Sequence, residues 1–497
     1  MELLDVLHNL TFGERVAEEE GETLLRYFVE TDHWHRLFSD AVDIVYGPKG
    51  SGKSALYSLL IAREDALFDR NILLAPAENP RGAPVFKDLV TDPPTTEREF
   101  IGLWKLYLLC VVYAAFENYG IAGPEANRIR DALDREGLAT SRRSLQSLLK
   151  AVGQYVRRAL RPESIEGGVQ IDPHTGLPVG FNGKITFQEP DAVGAQTGAT
   201  SVDDLLALCN DTLCCSDFSL WLLLDRLDVA FAESHELEHN ALRALFKVYL
   251  DISGLRRVRL KIFLRSDIWR RITREGFREA SHITRNMTIE WNRRSLMHLI
   301  ALRTAQNDNV LAFYETDRDA VLSTPEAQER FFYTMCPDQV DVGSRKPATY
   351  DWILTRTRDG TKQNAPRELI HLLNALRDQE ARRLEIGEAP PDERRLFART
   401  AFKDALAEVS RTRLQQTLYA EYPKYREPLE QLRGQKSSHY PQSLASVWGV
   451  TDGEALEQAR ALVEIGFFEE RGTREAPEFW IPFLYRDALD LVQGSAN

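Results

Sequence analysis

The chain has 497 residues, 43% hydrophobic and 28% charged, with 29 glycines and 22 prolines. That balance excludes collagen, a disulfide-dense scaffold and wholesale disorder, and the length predicts two to four domains. Acidic residues (75) outnumber basic ones (62) for a formal charge of −13, which argues against coating nucleic acid through bulk charge, although a local basic face stays open. The longest apolar stretch, 103–116, is too short for a bilayer and contains Lys105. The start, Met1-Glu2-Leu3-Leu4-Asp5, carries no secretory pattern. Five cysteines (Cys110, Cys209, Cys214, Cys215, Cys336) without C-x-x-C spacing read as reduced thiols. The expectation is a soluble, cytoplasmic protein with no membrane partner.

Helical periodicity runs over 12–38, with Val16, Leu24, Leu25 and Phe28 spaced for one face. A β-type run at 41–46 meets a glycine-rich stretch, and a helical pattern follows through Leu56, Leu59 and Leu60. A second apolar run at 72–74 precedes a turn-rich segment at 88–96, and 97–160 reads as mostly helical with a break near Gly120 to Pro124. Residues 161–200 contain seven glycines and β-type pieces at 169–171 and 184–187, which predicts a β-hairpin excursion or mobile loop. Helix resumes at Val202, where Cys214-Cys215 reads as core packing. A wholly apolar strand at 220–224 ends in acid, a helix covers about 236–251, and a strand at 260–264 leads into Arg265-Ser266-Asp267. Beyond 290 the pattern is helical. Trp104, Trp221 and Trp480 lie in apolar runs and read as core, and His33-Trp34-His35 reads as surface, not a metal site.

Gly47-Pro48-Lys49-Gly50-Ser51-Gly52-Lys53-Ser54 fits G-x-x-x-x-G-K-[ST] at every fixed position. The glycines let backbone N–H groups turn inward around phosphate oxygens, and the following helix presents its N-terminus to the same charge. Lys53 is placed for the β- and γ-phosphates and the Ser54 hydroxyl for Mg²⁺. The partner carboxylate for magnesium is Asp225, closing the strand 220–224, with Asp228 three residues on. Many ATPases of this class have Glu directly after the magnesium Asp. This chain has Arg226, so Asp228 is the nearest base and slow hydrolysis is expected. No Asn-Lys-x-Asp element is present, which favours ATP over GTP. The faint Gly167-Gly168-Val169-Gln170 does not make an ABC signature.

These elements resemble the AAA+/STAND group of P-loop ATPases, notably bacterial members with an Asp-Arg-Leu-Asp magnesium motif (here Asp225-Arg226-Leu227-Asp228). The phosphate loop extends through Ala55 and Leu56. The strand ending Arg265-Ser266-Asp267 occupies the place of the family's sensor 1, with Arg265 or Ser266 in that role. Asn364-Ala365-Pro366-Arg367-Glu368-Leu369-Ile370 looks like the start of a lid helix where origin-recognition-type members carry a sensor 2 arginine, here Arg367. The resemblance implies an α/β fold: a five-stranded parallel P-loop sheet flanked by helices with the P-loop strand central, an all-α lid, and a C-terminal winged-helix-like module. The expected boundaries are 1–290 for the ATPase domain (with a helical insertion at about 97–160 and the glycine-rich excursion at about 161–200), 291–390 for the lid and 391–497 for the tail.

The tail expectation rests on a helix at 453–464, a wing-like turn at 472–477 and a strand at 478–481. Residues 401–497 hold 11 basic and 15 acidic side chains, a poor endowment for phosphate contact, so a protein-contact or autoinhibitory role is favoured over DNA. Between 255 and 294, in contrast, twelve Lys/Arg face four acids, Asp267, Glu275, Glu279 and Glu290. The block is either a solvated basic face or, as relatives imply, a source of arginines that reach a neighbour's γ-phosphate, with Arg270 and Arg271 first and Arg274 behind. The resulting expectation is an ATP- and Mg²⁺-dependent switch or motor, homo-oligomeric, acting on an unidentified protein partner, in a bacterial stress or antiphage setting. The alternatives are a DNA-associated initiator or loader, and a nucleotide-gated scaffold with little turnover.

Overall fold

Short apolar runs give the strands β1 (Ile44–Gly47), β2 (Ile72–Pro76), β5 (Ser219–Leu224) and β6 (Val258–Arg265), and the shorter, more polar β3 (Ile185–Thr186), β4 (Thr200–Ser201) and β7 (Asn286–Thr288) join them. The computed structural model describes residues 2–79, 85–86, 93–139, 144–160, 184–190, 198–227, 235–274 and 276–496. The chain divides into two units. A sheet unit comprises Asp32–Tyr46 and Leu56–Thr288, and a helical unit comprises Met1–Thr31, Gly47–Ala55 and Ile289–Asn497.

In the sheet unit a five-stranded parallel sheet runs in the order β2-β5-β6-β1-β7. Leu73 pairs with Leu220, Leu222 with Leu260, and Ile44 with Asn286. Leu220 to Leu224 are buried without exception, as a strand covered by helices on both faces requires. The order corrects one expectation: β6 is central, and the P-loop strand β1 lies one place from the edge. Only β7 stands beyond β1, and Asn286–Thr288 is too short and polar to announce itself as a strand.

The helix Glu97–Tyr119 is the spine of this unit. Thr96 caps its start by accepting from Glu99 N, and Gly120 ends it in the left-handed conformation at φ +68°. It is long and apolar enough to cross a membrane, yet 83% of its most apolar 18-residue window is buried inside the protein, and Trp104 Nε1 donates to Ala241 O at 2.8 Å. Beneath the sheet, Lys261 is fully buried with its ammonium on Asp40 (2.6 Å), Asp43 (2.9 Å) and the Val42 carbonyl (2.7 Å), over the Trp221 ring. Burial alone would raise the Asp43 carboxyl; Lys261 and Arg285 outweigh it and hold the group below its ordinary value.

The helical unit gathers the helices Arg293–Thr304, Pro325–Met335, Thr349–Thr357, Pro366–Glu385 and Arg399–Arg413, the last continuing into a π-helical stretch Leu414–Tyr419. Val6, Leu7, Leu10 and Phe12 share their core, and Arg303 pairs in the interior with Glu20. A four-stranded sheet follows, with β8 (Lys436–His439), β9 (Glu469–Gly472), β10 (Pro477–Trp480) and β11 (Val492–Ser495) in the order β11-β8-β10-β9. Helices Pro441–Trp448 and Asp452–Glu464 lie between β8 and β9, and β9–β10 is an antiparallel hairpin. β8, β9 and β11 correct the reading of this region as helical apart from one strand; all three are short and polar, so periodicity does not reveal them.

Other expectations change as well. The periodicity over 12–38 resolves into short pieces, Ala17–Glu20, Leu24–Tyr27 and Asp32–Phe38, and Leu25 is exposed. β3 and β4 pair in parallel; the predicted piece at 169–171, the other arm of the expected hairpin, lies outside the described residues, as do the glycine-rich 167–170 and most of the 88–96 turn segment. Cys214 and Cys215 are exposed, because Leu206, Cys209 and Leu213 form the inward stripe of helix Val202–Ser216. Trp104 and Trp221 are core, but Trp480 is half-buried with Arg471 and Arg486 against its ring.

Candidate nucleotide-binding site

β1 ends at Gly47, and the helix Lys53–Ala62 begins six residues later. Between them Gly50 and Gly52 take φ of +78° and +98°, which only glycine adopts without strain. A Cβ on Gly47 would collide with Ser51 Oγ. Ser51 is itself buried, its Oγ has no hydrogen-bond partner among the described residues, and its carbonyl accepts from Trp291 Nε1 at 2.8 Å. The Lys53 ammonium folds back on the loop and donates to Gly47 O and Pro48 O, each at 2.9 Å. Ser54 and Ala55 follow in the first turn of the helix. A close glycine cradle, an orphaned buried hydroxyl, a helix N-terminus and an ammonium fit a phosphate chain.

Arg367 stands against this loop. It is the second residue of helix Pro366–Glu385, and its Cβ is 2.9 Å from where a Cβ on Gly50 would lie. Its Nε is buried without a partner. Glu368 beside it accepts from Arg413 Nη1 at 2.7 Å. Lys49 of the loop forms an ion pair with Glu421, just past the π-helical stretch. Sequence reasoning reached Lys49 and Arg367, and missed Arg413, Glu421 and Trp291. No motif spacing marks a residue that meets the loop only through tertiary packing.

In the sheet unit Asp225 follows β5 directly and is 4% exposed. Arg226 turns the chain sharply with φ +58°, a conformation that costs a non-glycine residue about 1–2 kcal/mol and occurs preferentially at functional sites. Asp228 lies outside the described residues. Sequence reasoning also missed Glu78, two residues past β2 and fully buried. Its Oε1 accepts from Asn79 N (2.8 Å) and Val85 N (2.9 Å). Burial pushes its carboxyl up to about 7; the Asp225 charge adds to the rise, and the two backbone donors and Arg226 oppose it.

Arg265 closes β6 and bonds Asp267 at 2.9 Å, while Ser266 Oγ is buried without a partner. Helix Ser266–Arg274 then carries Arg270 and Arg271, anchored by Trp269 stacked on Tyr46 at 4.9 Å. Arg271 bonds the buried Glu238. Arg270 is exposed and donates only to Ser266 O of its own helix among the described residues, at 3.4 Å. The basic block is therefore not one solvated face, since Lys261, Arg257, Arg265, Arg271 and Arg285 are all paired with carboxylates.

No family model matches the chain, and no curated protein matches it. A solved structure of the Aeropyrum pernix ORC2 protein, in ADPNP–ADP complexes, aligns over 96% of this chain and 94% of its own, at 14% identity and a TM-score of 0.37. At that score the likeness assigns no role to any residue here.

Proposed function

We propose that the chain is an ATP-binding, ATP-hydrolysing switch or motor of the AAA+/STAND type that couples nucleotide state to a partner. The observation that carries this reading is the phosphate loop: a G-x-x-x-x-G-K-S run between a parallel strand and a helix, with two left-handed glycines and the Lys53 ammonium resting on loop carbonyls. A phosphate chain in the loop takes over the ammonium from those carbonyls. The Ser54 hydroxyl and the Asp225 carboxylate are hard oxygen donors of the kind magnesium takes, and a bound magnesium ion would neutralise charge on the β- and γ-phosphates. Asp228 orients the attacking water, and Arg226 in the place of a glutamate makes turnover slow.

In the same reading Arg367 is the sensor 2 arginine, Arg265 or Ser266 stands at sensor 1, and Arg270 or Arg271 acts in trans within a homo-oligomer. The domains are the ATPase domain 1–290, the lid 291–390 and a winged-helix-like tail 391–497 that contacts protein. The bacterial stress or antiphage setting is supported by family association alone. Steady-state phosphate release, with and without duplex DNA, tests the proposal. Magnesium-dependent turnover that disappears in Lys53→Ala supports it, and unchanged turnover in that variant removes it.

A second reading, a DNA-associated initiator or loader, is favoured by the helix pair Pro441–Trp448 and Asp452–Glu464 followed by the β9–β10 hairpin. Against it, the second of these helices carries Glu454, Glu457 and Glu464 with Arg460 as its one cation. Salt-sensitive stimulation of ATPase by duplex would put this reading first.

A further inference from the structure

Within the helical unit a cavity of about 100 Å³ opens beside the phosphate loop. Its wall carries Arg15, Lys49, Arg367, Arg413 and His371, with Glu368 the one acid. Glu368 is already shared with Arg413, and Lys49 with Glu421. No carboxylate pairs with Arg15, which donates to Gln416 Oε1 at 3.0 Å, nor with Arg367, among the described residues. Burial first, and the Arg15 charge second, hold His371 below its ordinary range, so the ring is uncharged at neutral pH.

Three buried polar atoms in this wall have no hydrogen-bond partner among the described residues: Arg367 Nε, Arg413 Nε and Glu368 Oε2. Arg413 and Glu368 are 8% and 6% exposed, and leaving such buried atoms unpaired carries a desolvation penalty. Two are cationic donors and one is an anionic acceptor. The ligand that answers all three is an anion that still carries a proton. The cavity has room for a tetrahedral oxyanion with water and is well below the roughly 300 Å³ at which small-molecule pockets begin. The floor of the cavity is also unusual: Thr412, Arg413, Gln416 and Thr417 come from the junction with the π-helical stretch Leu414–Tyr419, a distortion frequent at functional sites.

We propose that this cavity is a second anion site that binds a protonated phosphate group, with Arg15, Arg367 and Arg413 donating to its oxygens and Glu368 Oε2 accepting its P–O–H. The site shares Arg367 with the nucleotide reading and adds to it Arg15, Arg413 and Glu368, and it needs neither Lys53 nor magnesium. The same wall holds Lys49 and lies next to its partner Glu421, so an arriving anion competes with Glu421 for Lys49 and loosens the segment after the π-helix from the phosphate loop. The phosphate is either free inorganic phosphate or the terminal phosphate of a nucleotide. Sulfate has the same shape but no proton at neutral pH and leaves Glu368 Oε2 facing an oxygen.

The test is calorimetric titration of the full-length, nucleotide-free protein with inorganic phosphate and, in parallel, sulfate. Saturable phosphate binding is expected, with sulfate weaker by about tenfold or more, the worth of one charge-assisted hydrogen bond. Arg15→Gln, at a partly exposed position, should weaken phosphate at this site by about tenfold, Lys53→Ala should remove only the phosphate held by the loop and leave the Arg15-dependent component in place, and Glu368→Gln should remove the preference over sulfate. Repeating the titration with a non-hydrolysable ATP analogue present separates the sources: unaltered affinity assigns the site to free phosphate, and competition assigns it to the nucleotide's terminal phosphate. Absence of saturable phosphate binding overturns the proposal. So does equal affinity for sulfate, or binding that survives Arg15→Gln and is lost in Lys53→Ala. Failure here leaves ATP binding at Lys53 untouched, and failure of ATP binding leaves this titration intact.

Discussion

Gly50 and Arg367 are packed so closely that a Cβ on the glycine would lie 2.9 Å from the Cβ of the arginine. Gly50 is also left-handed at φ +78°, and Gly52 is left-handed at +98° with only Ala55 Cβ near it, at 4.0 Å. Alanine at either position therefore incurs the backbone penalty of about 1–2 kcal/mol, and only Gly50→Ala also displaces the start of helix Pro366–Glu385. Gly50→Ala should be the less stable of the two by urea denaturation and should bind ATP more weakly. Equal losses would mean that Arg367 yields without cost.

Lys53 and Asp225 separate binding from magnesium dependence. Lys53→Ala removes the ammonium that bonds Gly47 O and Pro48 O, and should abolish hydrolysis and weaken ATP binding. Asp225→Asn should lose the magnesium-dependent part of binding or turnover while keeping the metal-independent part. Asp228→Asn should spare binding and slow turnover. Nucleotide titrations with and without EDTA, together with phosphate-release assays, distinguish these outcomes.

Glu78 makes stability depend on pH. Its carboxyl sits at about 7 in the folded protein against 4.5 for the ordinary group, so the folded state favours the proton. The contribution is present in full below about pH 4.5 and is lost as pH rises through about 7, in total on the order of 3 kcal/mol. Glu78→Gln keeps an Oε1 to accept from Asn79 N and Val85 N. Denaturation midpoints across pH 4.5–7.5 should fall for the wild type and stay flatter for the variant.

The pair Asp43–Lys261 should be worth most when broken on one side. Both groups are almost wholly buried, and removing Lys261 leaves the buried Asp43 carboxylate with Arg285 as its charged partner at 2.6 Å, so the cost falls below the roughly 3–5 kcal/mol of a fully stranded charge. Lys261→Met should still be destabilising, and combining it with Asp43→Asn should recover part of the loss in a double-mutant cycle. Because Asp43 is held below its ordinary value, its stabilisation is present above about pH 4 and is lost as pH falls through the folded-state value.

The parts legible from the sequence were those in which chemistry or periodicity is local. The run at 220–224 could only be a covered strand, and the phosphate loop announces itself because its function dictates glycine spacing. What escaped depends on distant segments meeting. Arg15, Glu368 and the continuous helical stretch that carries Arg413 and Glu421 are three separate segments, so no local spacing links them. Lys261 looked like one cation in a basic block, and only its neighbours in space, Asp40 and Asp43, show it to be a buried counterion. The strands β7, β8 and β11 are short and polar and are held by their partners' backbones, which composition does not record. Cys214 and Cys215 were misplaced because apolar residues nearby in sequence outweighed the helical phase that turns them outward.

Arg270 and Arg271, adjacent in sequence, differ in what they can lend to a neighbouring subunit. Arg271 is bonded to the buried Glu238, so Arg271→Ala should remove a charged partner of a buried carboxylate and lower stability whether or not the chain assembles. Arg270 is exposed and makes only a long bond to its own helix among the described residues, so Arg270→Ala should leave the fold intact. If Arg270 reaches a neighbour's γ-phosphate, ATPase activity per subunit should rise with protein concentration. Its removal should then cost as much as about 10³-fold, the scale of a trans arginine. Mixing Arg270→Ala protein into wild type should depress activity beyond simple dilution, with thermal stability unchanged. Activity linear in wild-type protein, with a monomer by light scattering in ATP, would rule out the trans role and leave Arg270 a solvated surface cation.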